Sequence, residues 1–164
     1  MSKTHTKTSP IIRAFRDEDR ADLIRIHDLA RPIELAGSCD SRAFVPLIED
    51  QEDFEEFNTS KKFVAIVDKT IVGFIGIDQD VIGWLYIEPK HARKGLGRNL
   101  LQFALSHLNG ASLVYVLDGN EPAINLYQSE GFSVVENFKS RNNNYPCRVL
   151  KLSRNGNTKK SVLN

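Results

Sequence analysis

The stretch VIGWLYIEPKHARKGLGRNLLQFAL, residues 81–105, decides how the rest of the chain is read. Its first part is a β-rich apolar run ending at Pro89, and its last part is amphipathic with a three- and four-residue spacing. Between them stand Gly95 and Gly97, flanked by Arg93, Lys94 and Arg98. Glycine is a poor helix former, so two glycines where a helix begins need a reason. The first amides of a helix lack intrahelical acceptors and the helix dipole favours negative charge there. Glycine lets such amides approach phosphate oxygens without a side chain in the way. The stretch therefore predicts a strand, an anion-binding turn and a helix from Gly97 to about Leu108. The full dinucleotide fingerprint is missing, because Leu100 holds the third glycine position, and no Gly-Lys-Ser/Thr closes a phosphate loop. On spacing alone, a turn with surface charges is an equal alternative.

Working outward, KFVAIV and IVGFIGI are β-rich runs separated by DKT, and DQD turns the chain into VIGWLYIEP. Three consecutive antiparallel strands are predicted ahead of the glycine turn. Upstream, IIRAF reads as a strand and DEDRADLIRIHDLA as a helix capped by Asp17. FVPLIEDQEDFEEF reads as a second helix through Phe44, Leu47, Ile48, Phe54 and Phe57. Downstream follow a strand (SLVYVLD), a helix (EPAINLYQSE, with Pro122 near its start and Gly131 at its end) and two strands (FSVVENF, CRVLKL). The sum is a mixed α/β domain with about four helices around a central sheet. We expect flexible tails at 1–10 and 154–164 and a single domain at 11–153.

At 164 residues, 41% hydrophobic and 26% charged, the chain can bury a full core, and its net charge of +1 gives no reason to expect nucleic acid. No apolar run approaches the roughly 18 residues of a membrane span, and the polar MSKTHTKTSP is no secretory signal. Cys39 and Cys147 read as reduced thiols in the cytoplasm, and the histidines lie too far apart for a metal site.

A second motif, NEPAINLYQSEGF at 120–132, places Ala123, Leu126 and Tyr127 near one another on a helix after a strand. Together the two segments resemble the GNAT superfamily of acyl-CoA-dependent N-acyltransferases. The family's pyrophosphate loop, Arg/Gln-x-x-Gly-x-Gly/Ala, corresponds to ARKGLG after a strand ending in Pro89. Its later motif, Asn-x-x-Ala-x-x-Leu-Tyr-x-x-x-Gly-Phe, is matched at each position by NEPAINLYQSEGF. The order of elements from Ile11 to Leu152 is also similar to that of the family. One departure is Ala92, which stands where the family has Arg or Gln.

The resemblance implies a mostly antiparallel sheet splayed between its fourth and fifth strands, and an N-acetyltransferase with acetyl-CoA as co-substrate and no metal. It implies that the pyrophosphate lies on Arg93, Lys94, Gly95, Leu96, Gly97 and Arg98. The pantetheine arm would run beside Leu85, Tyr86 and Ile87 and touch Asn120, and Tyr127 would act as general acid toward the departing thiolate. Glu88 is a candidate base, with Asp118, Tyr115 and His91 as other titratable groups nearby. The acceptor is an amine of a small molecule or a peptide, and a homodimer is compatible with this reading. The acidic run Glu49, Asp50, Glu52, Asp53, Glu55 and Glu56 reads first as a solvated helix face and second as attraction for a cationic amine. A non-catalytic acyl-CoA-binding module is the alternative function, and it would have no need of Tyr127.

Overall fold

Alternating apolar runs and two-residue turns build one mixed sheet of seven strands in the computed structural model, which describes residues 9–156. The strands are β1 (Ile11–Ala14), β2 (Lys61–Val67), β3 (Thr70–Asp78), β4 (Val81–Ile87), β5 (Ser112–Leu117), β6 (Ser133–Asn142) and β7 (Tyr145–Arg154). The helices are α1 (Arg20–Leu35), α2 (Gln51–Thr59), α3 (Leu96–Ser106) and α4 (Glu121–Ser129). The sheet order is β1-β2-β3-β4-β5-β7-β6, and only β4 and β5 are parallel neighbours. This is the mixed, mostly antiparallel sheet with four helices that the sequence predicts. Of the expected tails, residues 1–8 and 157–164 lie outside the described residues, while Arg154 is the last residue of β7. Among the described residues, no helix is long and apolar enough to cross a membrane.

The predicted turn between β2 and β3 holds Asp68 and Lys69 at φ 49° and 65°, and Asn143 and Asn144 join β6 to β7 at 44° and 69°. Two successive left-handed residues match the twist of the flanking strands, so both hairpins close tightly. The second turn also extends the last two strands beyond the predicted FSVVENF and CRVLKL.

Three helix boundaries differ from expectation. Asp17 does not cap α1: Asp17–Asp19 form a 3-10 turn, and the helix begins at Arg20 and runs through Pro32 to Leu35. The second helix begins at Gln51, not near Phe44, because Pro46 and a 3-10 turn at Leu47–Glu49 precede it. Asp50 caps it, its Oδ1 accepting from the Asp53 amide at 3.1 Å. The third helix starts at Leu96 and ends at Ser106.

Strand alternation divides the core between the two sheet faces. Phe63 and Ala65 of β2 pack with Leu100, Leu101 and Ala104 of α3, whereas Val64 between them packs with Leu23 and Ile26 of α1. In β4, Leu85 and Ile87 join the α3 side, and Trp84 and Tyr86 the α1 and α2 side. The two cysteines carry no disulfide and belong to a third cluster with Leu35 and Leu117.

The entry to α1 is held by a two-pronged ion pair. Arg13 of β1 donates from Nη1 and Nη2 to Asp19 Oδ2 and Oδ1 at 2.7 and 2.9 Å, and the Arg16 amide donates to the same carboxylate at 2.8 Å. The Arg13 hydrogen bonds hold the Asp19 carboxyl below its ordinary value of 3.8. A depressed carboxyl stabilises the fold above its unfolded pKa, so this contribution is complete above 3.8 and fades as pH falls below it. We expect Asp19→Ala to lose about 2–3 kcal/mol in urea unfolding at pH 7, since it leaves Arg13 and an amide without their buried acceptor. The difference from the parent should shrink on acidification below about pH 4.

Candidate functional site

β4 and β5 are in ladder register at only two pairs, Val81↔Leu113 and Ile82↔Val114. Beyond Ile82 they part, each keeping its outer neighbour: β4 stays with β3 to Gly73↔Ile87, and β5 with β7 to Leu117↔Val149. The gap is lined by Trp84, Leu85 and Tyr86 on one side and by Val114, Tyr115 and Val116 on the other. Asn120, Ala123 and Tyr127 of the β5–α4 segment close it, with Glu34 of α1 at its other end.

The glycine turn stands between the 3-10 turn after β4 and the start of α3. Arg93 and Gly95 take φ of 63° and 80°, and Gly95 is the cap of α3. That left-handed backbone favours a glycine at 95. At Gly97 the packing leaves room for a side chain: a Cβ there would meet Leu126 Cδ2 at 3.5 Å and Ile87 Cγ1 at 3.9 Å, ordinary van der Waals separations. Among the described residues, no amide from Arg93 through Arg98 donates to a backbone carbonyl; the first that does is Asn99, to Gly95 at 3.0 Å. Arg93 and Lys94 are exposed. The Arg98 guanidinium is tied to α4 through Ser129 Oγ at 2.9 Å and through Glu130, which leaves its amide rather than its side chain open to a ligand.

Tyr127 is 4% exposed, its ring edge-on to Phe132 with centroids 5.3 Å apart. Burial, with a smaller push from Glu34, raises its phenol pKa well above the ordinary value. The Tyr86 phenol, in the gap beside Glu34 and Arg31, is raised by burial in the same way. Asn120 sits at the start of α4, its amide bonded to Leu117 O at 3.0 Å.

The structure does not bring Glu88 to this gap. Its buried carboxylate accepts from Arg25 Nη1 at 3.1 Å and pairs with Lys90 at 3.4 Å. Burial pushes its pKa up, but Arg25 and Lys90 more than offset that and leave it below its ordinary value. Of the other titratable groups, Tyr115 lines the gap, while Asp118 and His91 do not.

A second cleft, of about 290 Å³, continues from the gap past Glu34, Gly83, Trp84, Tyr86 and Tyr115. Its far wall is made by His27 and Arg31 of α1, Asp53 and Glu56 of α2, and Asn142 of β6. Arg31 pairs with Glu34 and donates to Asn142 Oδ1 at 3.0 Å. Burial, reinforced by Asp50, pushes the Asp53 carboxyl up. Sequence reasoning missed Glu34, Arg31 and Asn142, which come from separate elements and carry no local motif. The acidic run did hold a signal: only Asp53 and Glu56, three residues apart, turn into the cleft.

Residues 58–134 match the family described as acetyltransferase (GNAT) domain. The peptidyl-lysine N-acetyltransferase YiaC of Escherichia coli is 28% identical over 96 residues, 58% of this chain and 62% of that one. The chain spans less than two thirds of the length of the curated relatives it matches. Among solved structures, a GCN5-related N-acetyltransferase of Rhodopseudomonas palustris superposes with a TM-score of 0.79 at 16% identity, over 90% of this chain and 96% of that one. The PaiA N-acetyltransferase of Thermoplasma acidophilum, in complex with coenzyme A, superposes with a TM-score of 0.72 at 20% identity, over 90% and 99%.

The raised phenols make a direct spectroscopic prediction. At about pH 11, beyond the ordinary tyrosine value of about 10, neither Tyr86 nor Tyr127 should be ionised in the folded protein. Tyr86→Phe and Tyr127→Phe should therefore each leave the tyrosinate absorbance near 295 nm equal to that of the parent. A loss of one tyrosine's signal in either variant would show that its phenol is solvated.

Proposed function

We propose that the chain is a GNAT-type N-acetyltransferase, moving an acetyl group from acetyl-CoA to a primary amine in a ternary complex, a reading supported by the match of residues 58–134 to the acetyltransferase (GNAT) domain. The observation that supports this is the buried Tyr127 lining the gap between β4 and β5. A module that only bound acyl-CoA would have no use for a phenol there.

Acetyl-CoA supplies an activated acetyl thioester, and the residues present fit it. The open amides from Arg93 to Arg98 suit a pyrophosphate, with the α3 dipole behind them and Arg93 and Lys94 beside them. Ala92 adds no side-chain contact, so in this reading the backbone does most of that work. Leu85, Tyr86 and Asn120 border the gap where the pantetheine arm would lie, and Ile87 follows them at the end of β4. A backbone N–H of this β4 segment would donate to the acetyl oxygen as charge develops on it. The Tyr127 hydroxyl would donate to the sulfur.

Attack requires an uncharged amine, so the acceptor must lose a proton before or during the reaction. Glu88 does not border the gap and is poorly placed to take it. Glu34 is the carboxylate that borders both the gap and the cleft, and a proton leaving by that route reaches solvent through the cleft. None of these steps requires a metal. We place the reaction in the cytoplasm, where Cys39 and Cys147 would stay reduced.

Two variants test this reading. Gly97→Val sets a branched side chain beside the open amides, where it would obstruct a pyrophosphate, and should weaken coenzyme A binding tenfold or more by calorimetry in a protein that still melts cooperatively. Unchanged affinity would remove the turn from the site. Tyr127→Phe keeps the ring and removes only the hydroxyl. Single-turnover acetyl transfer should fall by roughly 10²–10⁴-fold, with little change in acetyl-CoA affinity. Full activity in that variant would end the assignment of Tyr127 as the acid.

A further inference from the structure

The acceptor cleft carries more negative charge than its own cation balances. Glu34 is matched by Arg31, and Arg31 is held further by Asn142. Asp53 and Glu56 have no such match: among the described residues, neither carboxylate makes a salt bridge or accepts a side-chain hydrogen bond. Asp53 is nonetheless partly buried, and the charge of Arg31 offsets only part of the solvation this costs, so its carboxyl stays above the ordinary value. His27, the remaining titratable group on the α1 wall, is engaged with Asp28 at 2.9 Å. The opposite wall is aromatic, with Trp84, Tyr86 and Tyr115 offering ring surface to the same space. Unmatched carboxylates facing aromatic rings form a site for a cation.

Resting on the acetyltransferase reading, we propose that the acceptor is a small aliphatic amine with a second cationic centre, a diamine or polyamine, whose non-reacting ammonium is held by Asp53 and Glu56. A single amine cannot satisfy this cleft through the reaction, because it must be uncharged to attack the thioester. A second ammonium keeps its charge throughout and stays paired with the carboxylates. Such an interaction is equally strong before and during the chemical step, so it lowers KM rather than raising kcat.

The shape of the cleft favours a small molecule over a residue on a folded protein. Arg31 reaches from α1 to Asn142 at the end of β6, and Asn143 donates to Ala43 O at 2.7 Å. These bonds strap the β6–β7 hairpin to the segment between α1 and α2, across one side of the cleft. A volume of about 290 Å³ suits a small ligand.

The test compares 1,4-diaminobutane and 1,5-diaminopentane with 1-aminobutane and 1-aminopentane, and with a lysine-containing peptide, following thiol release from acetyl-CoA. The better diamine should exceed its monoamine in kcat/KM by tenfold or more, with the difference in KM, and should exceed the peptide. In Asp53→Asn/Glu56→Gln that diamine-to-monoamine ratio should fall to about one, and Asp53→Glu should retain it. Equal use of diamine and monoamine by the parent, or preference for the peptide, would overturn the proposal while leaving the acetyltransferase reading in place. If none of these amines is acetylated, direct calorimetric binding of the diamine decides the site separately from the acetyltransferase reading. Binding that weakens tenfold in the double variant supports the site, and no binding to the parent overturns it. Should the double variant not fold, the comparison of amines on the parent still decides.

Discussion

The parting of β4 from β5 is the constraint on which the rest of the site depends. Parallel neighbours cannot be joined by a tight turn, so the chain crosses from β4 to β5 through α3 on one face of the sheet. That crossover sets the start of α3, with its open amides, just after the end of β4. The strands touch at two residue pairs and then separate, so their facing backbone groups lose ladder partners where the sheet should be best protected. A buried backbone group without a partner costs about 1–3 kcal/mol, so such a gap calls for water or for a guest that can hydrogen bond as a strand does. The helix after β5 then brings Tyr127 to the same opening.

Much of this was legible because it is local. The two hairpins, the glycine turn and the motif at 120–132 are contiguous, and their residue types answer to backbone demands such as the left-handed φ at Gly95 and Asn143. Where the reading slipped, packing had overridden spacing. Phe44 and Leu47 fit a helical period, yet the chain reaches their positions through Pro46 and a 3-10 turn, and a new helix is capped only at Asp50. Asp17 has the chemistry of a cap, but Asp19 is the residue that Arg13 draws inward.

The acceptor cleft was legible only in part, for a different physical reason. Glu34, Asp53, Trp84 and Asn142 come from α1, α2, β4 and β6, and nothing in any one segment marks them as neighbours. The acidic run on α2 shows how charge composition blurs such a site. One of its members caps the helix, and two face the cleft. Helical geometry permits that division, but only the packing of α2 against the sheet decides which residues turn inward.

The environment of Tyr127 bears on how a phenol can serve a departing thiolate. A thiol ordinarily has a pKa of about 8.5 and a phenol about 10, so full proton transfer from tyrosine to thiolate is already uphill. Burial raises Tyr127 further. A thiolate forming in the same gap is desolvated as well, which raises its basicity and narrows the difference. The raised phenol pKa therefore acts mainly by keeping the hydroxyl protonated, a hydrogen-bond donor at every pH where an amine can be deprotonated. A hydrogen bond to a charged group contributes about 3 kcal/mol, roughly a hundredfold in rate, and more where water is excluded. A donor that stays neutral cannot also take the amine's proton. On the proposed mechanism the two proton tasks thus belong to opposite ends of the gap, with the phenol of α4 beside the sulfur and the carboxylate of α1 toward the acceptor cleft.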